Sequence, residues 1–84
     1  MAILTDLGSL KPGKRAIVTA IRGGIGVTVR LDAMGIRPGI VLEKISGQPF
    51  GGPVVVRIGS SRIALGIGMA KKVHVEMDDR EESS

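Results

Sequence analysis

The chain has no cysteine, no tryptophan and no tyrosine, and only one phenylalanine and one histidine in 84 residues. Without cysteine there is no disulfide and no thiolate metal clip, the usual staples of a domain this small. Without aromatic rings the core must be packed from aliphatic side chains. A single imidazole, with no thiol or phenol and no acid pair placed together in the body, leaves no nucleophile and base to activate each other, so no enzymatic activity is expected. Long apolar runs are missing too. The longest, Ala16 to Ile21 and Pro53 to Val56, fall far short of the roughly 20 residues that cross a bilayer, and no membrane insertion is expected. The opening Met1-Ala2-Ile3-Leu4-Thr5-Asp6 lacks the basic start and apolar stretch of a secretory signal, which points to the cytoplasm.

What is present is branched aliphatic. Ten Ile, nine Val and six Leu suit pleated strands better than helices, and 13 Gly and 4 Pro supply tight turns. One mainly β domain is expected. Lys11-Pro12-Gly13-Lys14 fits a type II turn, with glycine at the position that needs a positive φ. It launches a strand over residues 15–21, ending at Arg22-Gly23-Gly24. Arg37-Pro38-Gly39 repeats the turn before a strand over 40–45, and Gly47 to Pro53 is the longest loop, holding Phe50. Further strands are expected over 54–58, 62–65 and 71–75, the first two joined by a hairpin turn at Gly59-Ser60-Ser61. In the last, Val73 and Val75 alternate with Lys72, His74 and Glu76, which places the valines inward. Five short strands with tight links fit an SH3-like β-barrel.

Residues 27–34 are ambiguous. Val27, Val29 and Leu31 alternate as in a strand, while Val27, Leu31 and Met34 share one helical face. Arg30 to Met34 are good helix formers and Gly35 suits the left-handed residue after a helix end.

Charge is uneven along the chain. Residues 1–75 carry a net +8, whereas 76–84 hold five of the eight acids and a net −4. The boundary is expected at 76: one domain over 1–76 and an acidic, disordered tail over 77–84. A basic body favours anionic partners.

Several motifs fall short of a site. Gly8 to Arg15 has the spacing of a phosphate-binding loop, but Arg15 stands where the magnesium-binding hydroxyl belongs and Pro12 removes a backbone N–H. His74, Glu76 and Asp78 alternate, yet three groups with one imidazole are too unspecific to assign a metal. Gly13 to Gly23 resembles the KOW motif of RNA-associated SH3-like domains, which makes an RNA-binding module the alternative reading. The scarcity of stacking aromatics argues against nucleic acid as the partner.

Three segments together resemble the FeoA family of small ferrous iron transport proteins. They are Leu7 with Leu10-Lys11-Pro12-Gly13 and the strand to Ile21; Arg30-Leu31-Asp32-Ala33-Met34-Gly35-Ile36-Arg37-Pro38-Gly39; and Gly51 to Val56 with Ile63 to Gly66 and Met69 to Val75. The resemblance implies a short helix inserted after the first strand, near Val27 to Met34. It also implies a non-enzymatic accessory of ferrous iron uptake without a cofactor, docking on the cytosolic G-protein region of the FeoB permease and so recruited to the inner face of the membrane. Arg30, Leu31, Arg37 and Phe50 are the expected docking residues. The edge strands of a small open barrel leave pairing with a second copy open.

Overall fold

A computed structural model describes residues 2–48 and 51–78. The fold is mainly β and SH3-like, as expected, with six strands rather than five. They are β1 (Ala2–Asp6), β2 (Arg15–Ile21), β3 (Val41–Gln48), β4 (Gly51–Ile58), β5 (Ser61–Leu65) and β6 (Val73–Asp78). Helix α1 (Gly24–Ala33) follows β2, and the four-residue α2 (Ile67–Ala70) precedes β6. The strands form one antiparallel sheet in the order β1-β6-β2-β3-β4-β5, which is not closed and has β1 and β5 as its edges.

Strand β1 went unassigned in the sequence because its five residues show no clean alternation. Its partner creates it, with Ala2 to Asp6 lying opposite Asp78 to His74. Two other boundaries move for a related reason. The hairpin of β3 and β4 reaches into residues expected as a loop, and register shifts near Lys44, Ser46 and Gln48 absorb the irregular stretch. At the other end, β6 runs through Met77, which is buried in the core, so the strand continues past the expected boundary at 76. The expected docking residue Phe50 and the tail residues 79–84 lie outside the described residues.

The two Pro-Gly turns bracket the β2/β3 pair. In each, the fourth residue donates to the first (Lys14 N–H to Lys11 C=O and Ile40 N–H to Arg37 C=O, both 3.2 Å) and the glycine has positive φ, 89° at Gly13 and 96° at Gly39. These are type II turns. Each glycine N–H then reaches the opposite strand: Gly13 donates to Lys44 C=O at 2.7 Å and Gly39 to Val18 C=O at 2.8 Å. The β4/β5 connection needs only Gly59-Ser60, with Gly59 at φ 59° as a type II′ hairpin turn requires.

Among the described residues the buried apolar core is aliphatic apart from Met77, with Met34 and Met69 packed partly against it. Val18, Leu42, Val54, Val56, Leu65, Val73 and Val75 come from the sheet, and Leu7, Leu10, Leu31, Ile36 and Ala70 cover them. Helix α1 ends in a Schellman motif: Ile36 N–H donates to Leu31 C=O and Gly35 N–H to Asp32 C=O, both at 2.9 Å, with Gly35 at φ 87°. The two residues joined by the longer bond, Leu31 and Ile36, are both fully buried.

Lys44 faces inward from β3 and is only 3% exposed. Its ammonium donates to Gly8 C=O at 3.1 Å, which ties the loop after β1 to the sheet. Room for its stem comes from Gly47, where a Cβ would sit 2.7 Å from Lys44 Cε. Desolvation pushes the Lys44 pKa below its ordinary value, partly offset by the carboxylate of Asp6.

Two stability predictions follow from these contacts. Gly35→Ala forces a Cβ into the left-handed region and should cost about 1 kcal/mol, lowering the melting temperature by roughly 4–8 °C in a thermal melt. For Lys44, the folded pKa lies below the unfolded one, so within that window the unfolded chain holds the extra proton. Raising the pH toward 10.5 should therefore stabilise the protein. Denaturant titrations should show this gain in the native sequence and its loss in Lys44→Met.

Candidate docking face

Helix α1 is held by its C-terminal half. Leu31 is its one buried residue, and Val27 packs partly against the same core. The remaining side chains point to solvent. Ile25 and Val29, one turn apart, are 84% and 63% exposed, and residues four apart on a helix share a face. Together they form an apolar ridge on a helix that carries an exposed Arg30 in its last turn.

The start of the helix is glycine-rich and has no side-chain cap and no acid in its first turn. Gly23 (φ 114°) must be glycine for its backbone, and a Cβ there would also sit 3.0 Å from Lys72 Cδ. Gly26 is different. It lies inside the helix, outside the left-handed region, and a Cβ there would meet nothing within 4 Å. Glycine in such a position costs helix stability relative to alanine, and no contact in the fold requires it. Its missing side chain leaves the backbone beside Ile25 open to close approach.

Cations lie toward both ends of the helix. Arg22, Lys71 and Lys72 are exposed near the helix start, where Arg22 N–H donates to Lys72 C=O at 2.8 Å. Arg30 has no ion-pair partner among the described residues. The helix's one acid, Asp32, is met by Arg37 at 3.4 Å, with both side chains more than half exposed, an arrangement worth little in stability. The arrangement suits an apolar patch with an acidic rim.

Of the four expected docking residues, the structure places Arg30 and Arg37 on the surface at the end of α1 and just beyond it. Leu31 is 0% exposed and belongs to the core, because its position in the Schellman motif turns it onto Ile36. The exposed apolar residues that the structure adds to this face are Ile25 and Val29. Their i, i+4 spacing was legible, but with the helix expected to begin near Val27, Ile25 fell in the preceding turn. The β-branched run of Val27, Thr28 and Val29 is nonetheless helical, and Thr28 Oγ1 bonds back to Gly24 C=O at 2.9 Å.

The other motifs resolve into structure. The residues with phosphate-loop spacing form the Lys44-bound loop and the first Pro-Gly turn. His74 and Glu76 are half-buried on the outer side of β6, and no group of three or more His, Asp or Glu among the described residues is placed to hold a metal ion. No described helix is long and apolar enough to cross a membrane.

Comparison with known proteins bears on the whole domain. The model of the FeoA domain matches residues 5–77. A protein of Methanocaldococcus jannaschii named for Fe(2+) transport, as transport protein A, is 41% identical over 70 residues, covering 83% of each chain. The crystal structure of an iron uptake regulatory protein, FeoA, superimposes with a TM-score of 0.81 at 30% identity, over 89% of this chain and 99% of that one. A manganese-dependent transcriptional repressor shares the fold at a TM-score of 0.77 and 22% identity, over 89% of this chain and 42% of its own. With a family model spanning nearly all of the described fold and a relative this similar over most of both chains, the chain belongs to the FeoA family.

Proposed function

We propose that this chain is a non-enzymatic, cytoplasmic accessory of ferrous iron uptake that docks on the cytosolic G-protein region of the FeoB permease through the outer face of α1. Family membership supports the iron-uptake role. The observation that carries the docking face is the solvent-exposed pair Ile25 and Val29 on a helix whose Val27 and Leu31 are turned to the core.

The physics of such a contact is simple. Fully burying one branched aliphatic side chain is worth about 1.5–3 kcal/mol, so this ridge can supply the centre of an interface once the cost of association is met. The exposed Arg22, Arg30, Lys71 and Lys72 would steer encounter with an acidic surface and set the salt dependence of the on-rate more than the final affinity. Gly26 lets the partner's surface approach the helix backbone. The barrel-like sheet contributes rigidity, so little ordering is needed on binding.

Capture of the soluble G-protein region, with and without GTP, tests this reading. Ile25→Glu and Val29→Glu should abolish binding while leaving the circular dichroism and melting curve unchanged, because neither side chain supports the core. Gly26→Ala should raise stability by about 0.5 kcal/mol, whereas Gly26→Leu should weaken capture at unchanged fold. Leu31→Glu should prevent folding altogether. Full binding by the Ile25→Glu, Val29→Glu double variant would contradict the assignment of this face.

A further inference from the structure

The two edges of the sheet are built differently. On β5, the exposed Arg62 lies opposite Arg57 of β4, so the edge carries a charge at its second residue, a common defence against edge pairing. Strand β1 has no such defence. It carries one charged residue, Asp6 at its end, with no lysine, proline or bulge.

The ladder fixes which backbone groups of β1 face outward. Leu7 N–H donates to Val73 C=O at 2.9 Å, continuing the register of β1 on β6. Hydrogen-bonded pairs alternate along an antiparallel ladder, so Ile3 and Thr5 bond to β6, while Ala2, Leu4 and Asp6 direct their N–H and C=O groups to the open side. Leu4 is the middle residue of the strand and is 73% exposed.

Leu4 also begins an apolar row. It lies opposite Glu76 on β6, Glu76 opposite Ile17 on β2, and Ile17 opposite Val41 on β3. Leu4, Ile17 and Val41 are all exposed, and at the usual strand spacing they span about 14 Å.

We infer that β1 pairs with β1 of a second copy about a two-fold axis through Leu4, joining the two sheets into one. The strand is self-complementary about its centre. Antiparallel pairing sets Leu4 against Leu4 of the second copy, with reciprocal N–H to C=O bonds, and sets Ala2 against Asp6 of the second copy, so no like charges meet. The Asp6 carbonyl already accepts from Ser9 and Leu10 N–H, so the outer pairs close through Asp6 N–H and the Ala2 carbonyl. The two apolar rows then meet at Leu4. The Glu76 side chains of the two copies stand three strand spacings apart, about 14 Å, beyond the screening length at physiological salt. The contact is short, and the dimer is accordingly concentration-dependent.

Sedimentation velocity from about 5 µM to about 1 mM, paired with amide exchange, tests the pairing; the range spans the affinities expected of a small interface. The sedimentation coefficient should rise from monomer to dimer, and exchange at the Leu4 amide should slow in parallel. Leu4→Lys, which places two cations on the axis, should weaken the dimer by about tenfold or more without changing the melting curve. Arg62→Glu, on the other edge, should leave it unaltered. A chain that stays monomeric throughout the range would overturn the inference. So would a dimer that survives Leu4→Lys, or one lost through Ile25→Glu instead, which would place self-association on the helix.

Discussion

Everything distinctive about this fold depends on how one short helix is fastened. The carbonyl of Leu31 accepts from Ile36 N–H, and both side chains disappear into the sheet's inner face. That single buried turn, closed by a glycine in the left-handed region, fixes the helix by its C-terminal end. Apart from Val27, which packs partly against the core, the rest of the helix presents its side chains outward. Two large aliphatic side chains can stand outward there only because the helix does not need them for its attachment. In a domain of this size, where the margin of stability is a few kcal/mol, apolar side chains left in water and an uncapped, glycine-rich helix start are costs without return inside the monomer.

Much of the fold was legible because its turns have chemistry that sequence displays. Gly13, Gly35, Gly39 and Gly59 each occupy a backbone conformation that glycine supplies at no steric cost, and each was read at its correct place. The alternation of Val73 and Val75 with His74 and Glu76 predicted which way β6 faces. The rest was hidden by partners far along the chain. Strand β1 exists because β6 lies beside it, and the extension of β3 and β4 exists because register shifts keep unpromising residues paired. Local pattern carries neither fact. For the candidate face, the sequence displayed Arg30 and Arg37 and offered Leu31 beside them, since an apolar residue at helical spacing looks the same whether it packs inward or waits outward. Deciding between Leu31 and Ile25 required knowing where the helix begins.

Lys44 illustrates a second hidden constraint. A lysine in a strand ordinarily suggests a solvated face, yet this one alternates with the core residue Leu42 and lies under the loop that follows β1. Its burial disfavours the charged form, and what it returns is specificity: the loop carrying Leu7 and Leu10 into the core is pinned to β3 at Gly8 and again at Gly13. Among the described residues, Lys44 is the one charged side chain buried inside, and it fastens a loop to the sheet.

Nuclear magnetic resonance mapping of the isotope-labelled chain, titrated with the unlabelled G-protein region of the permease, addresses the central claim most directly. The account predicts shift changes concentrated at Ile25, Gly26, Val29 and Arg30, with the core amides undisturbed. Changes confined to the outer face of the sheet, or none at saturating partner, would contradict it.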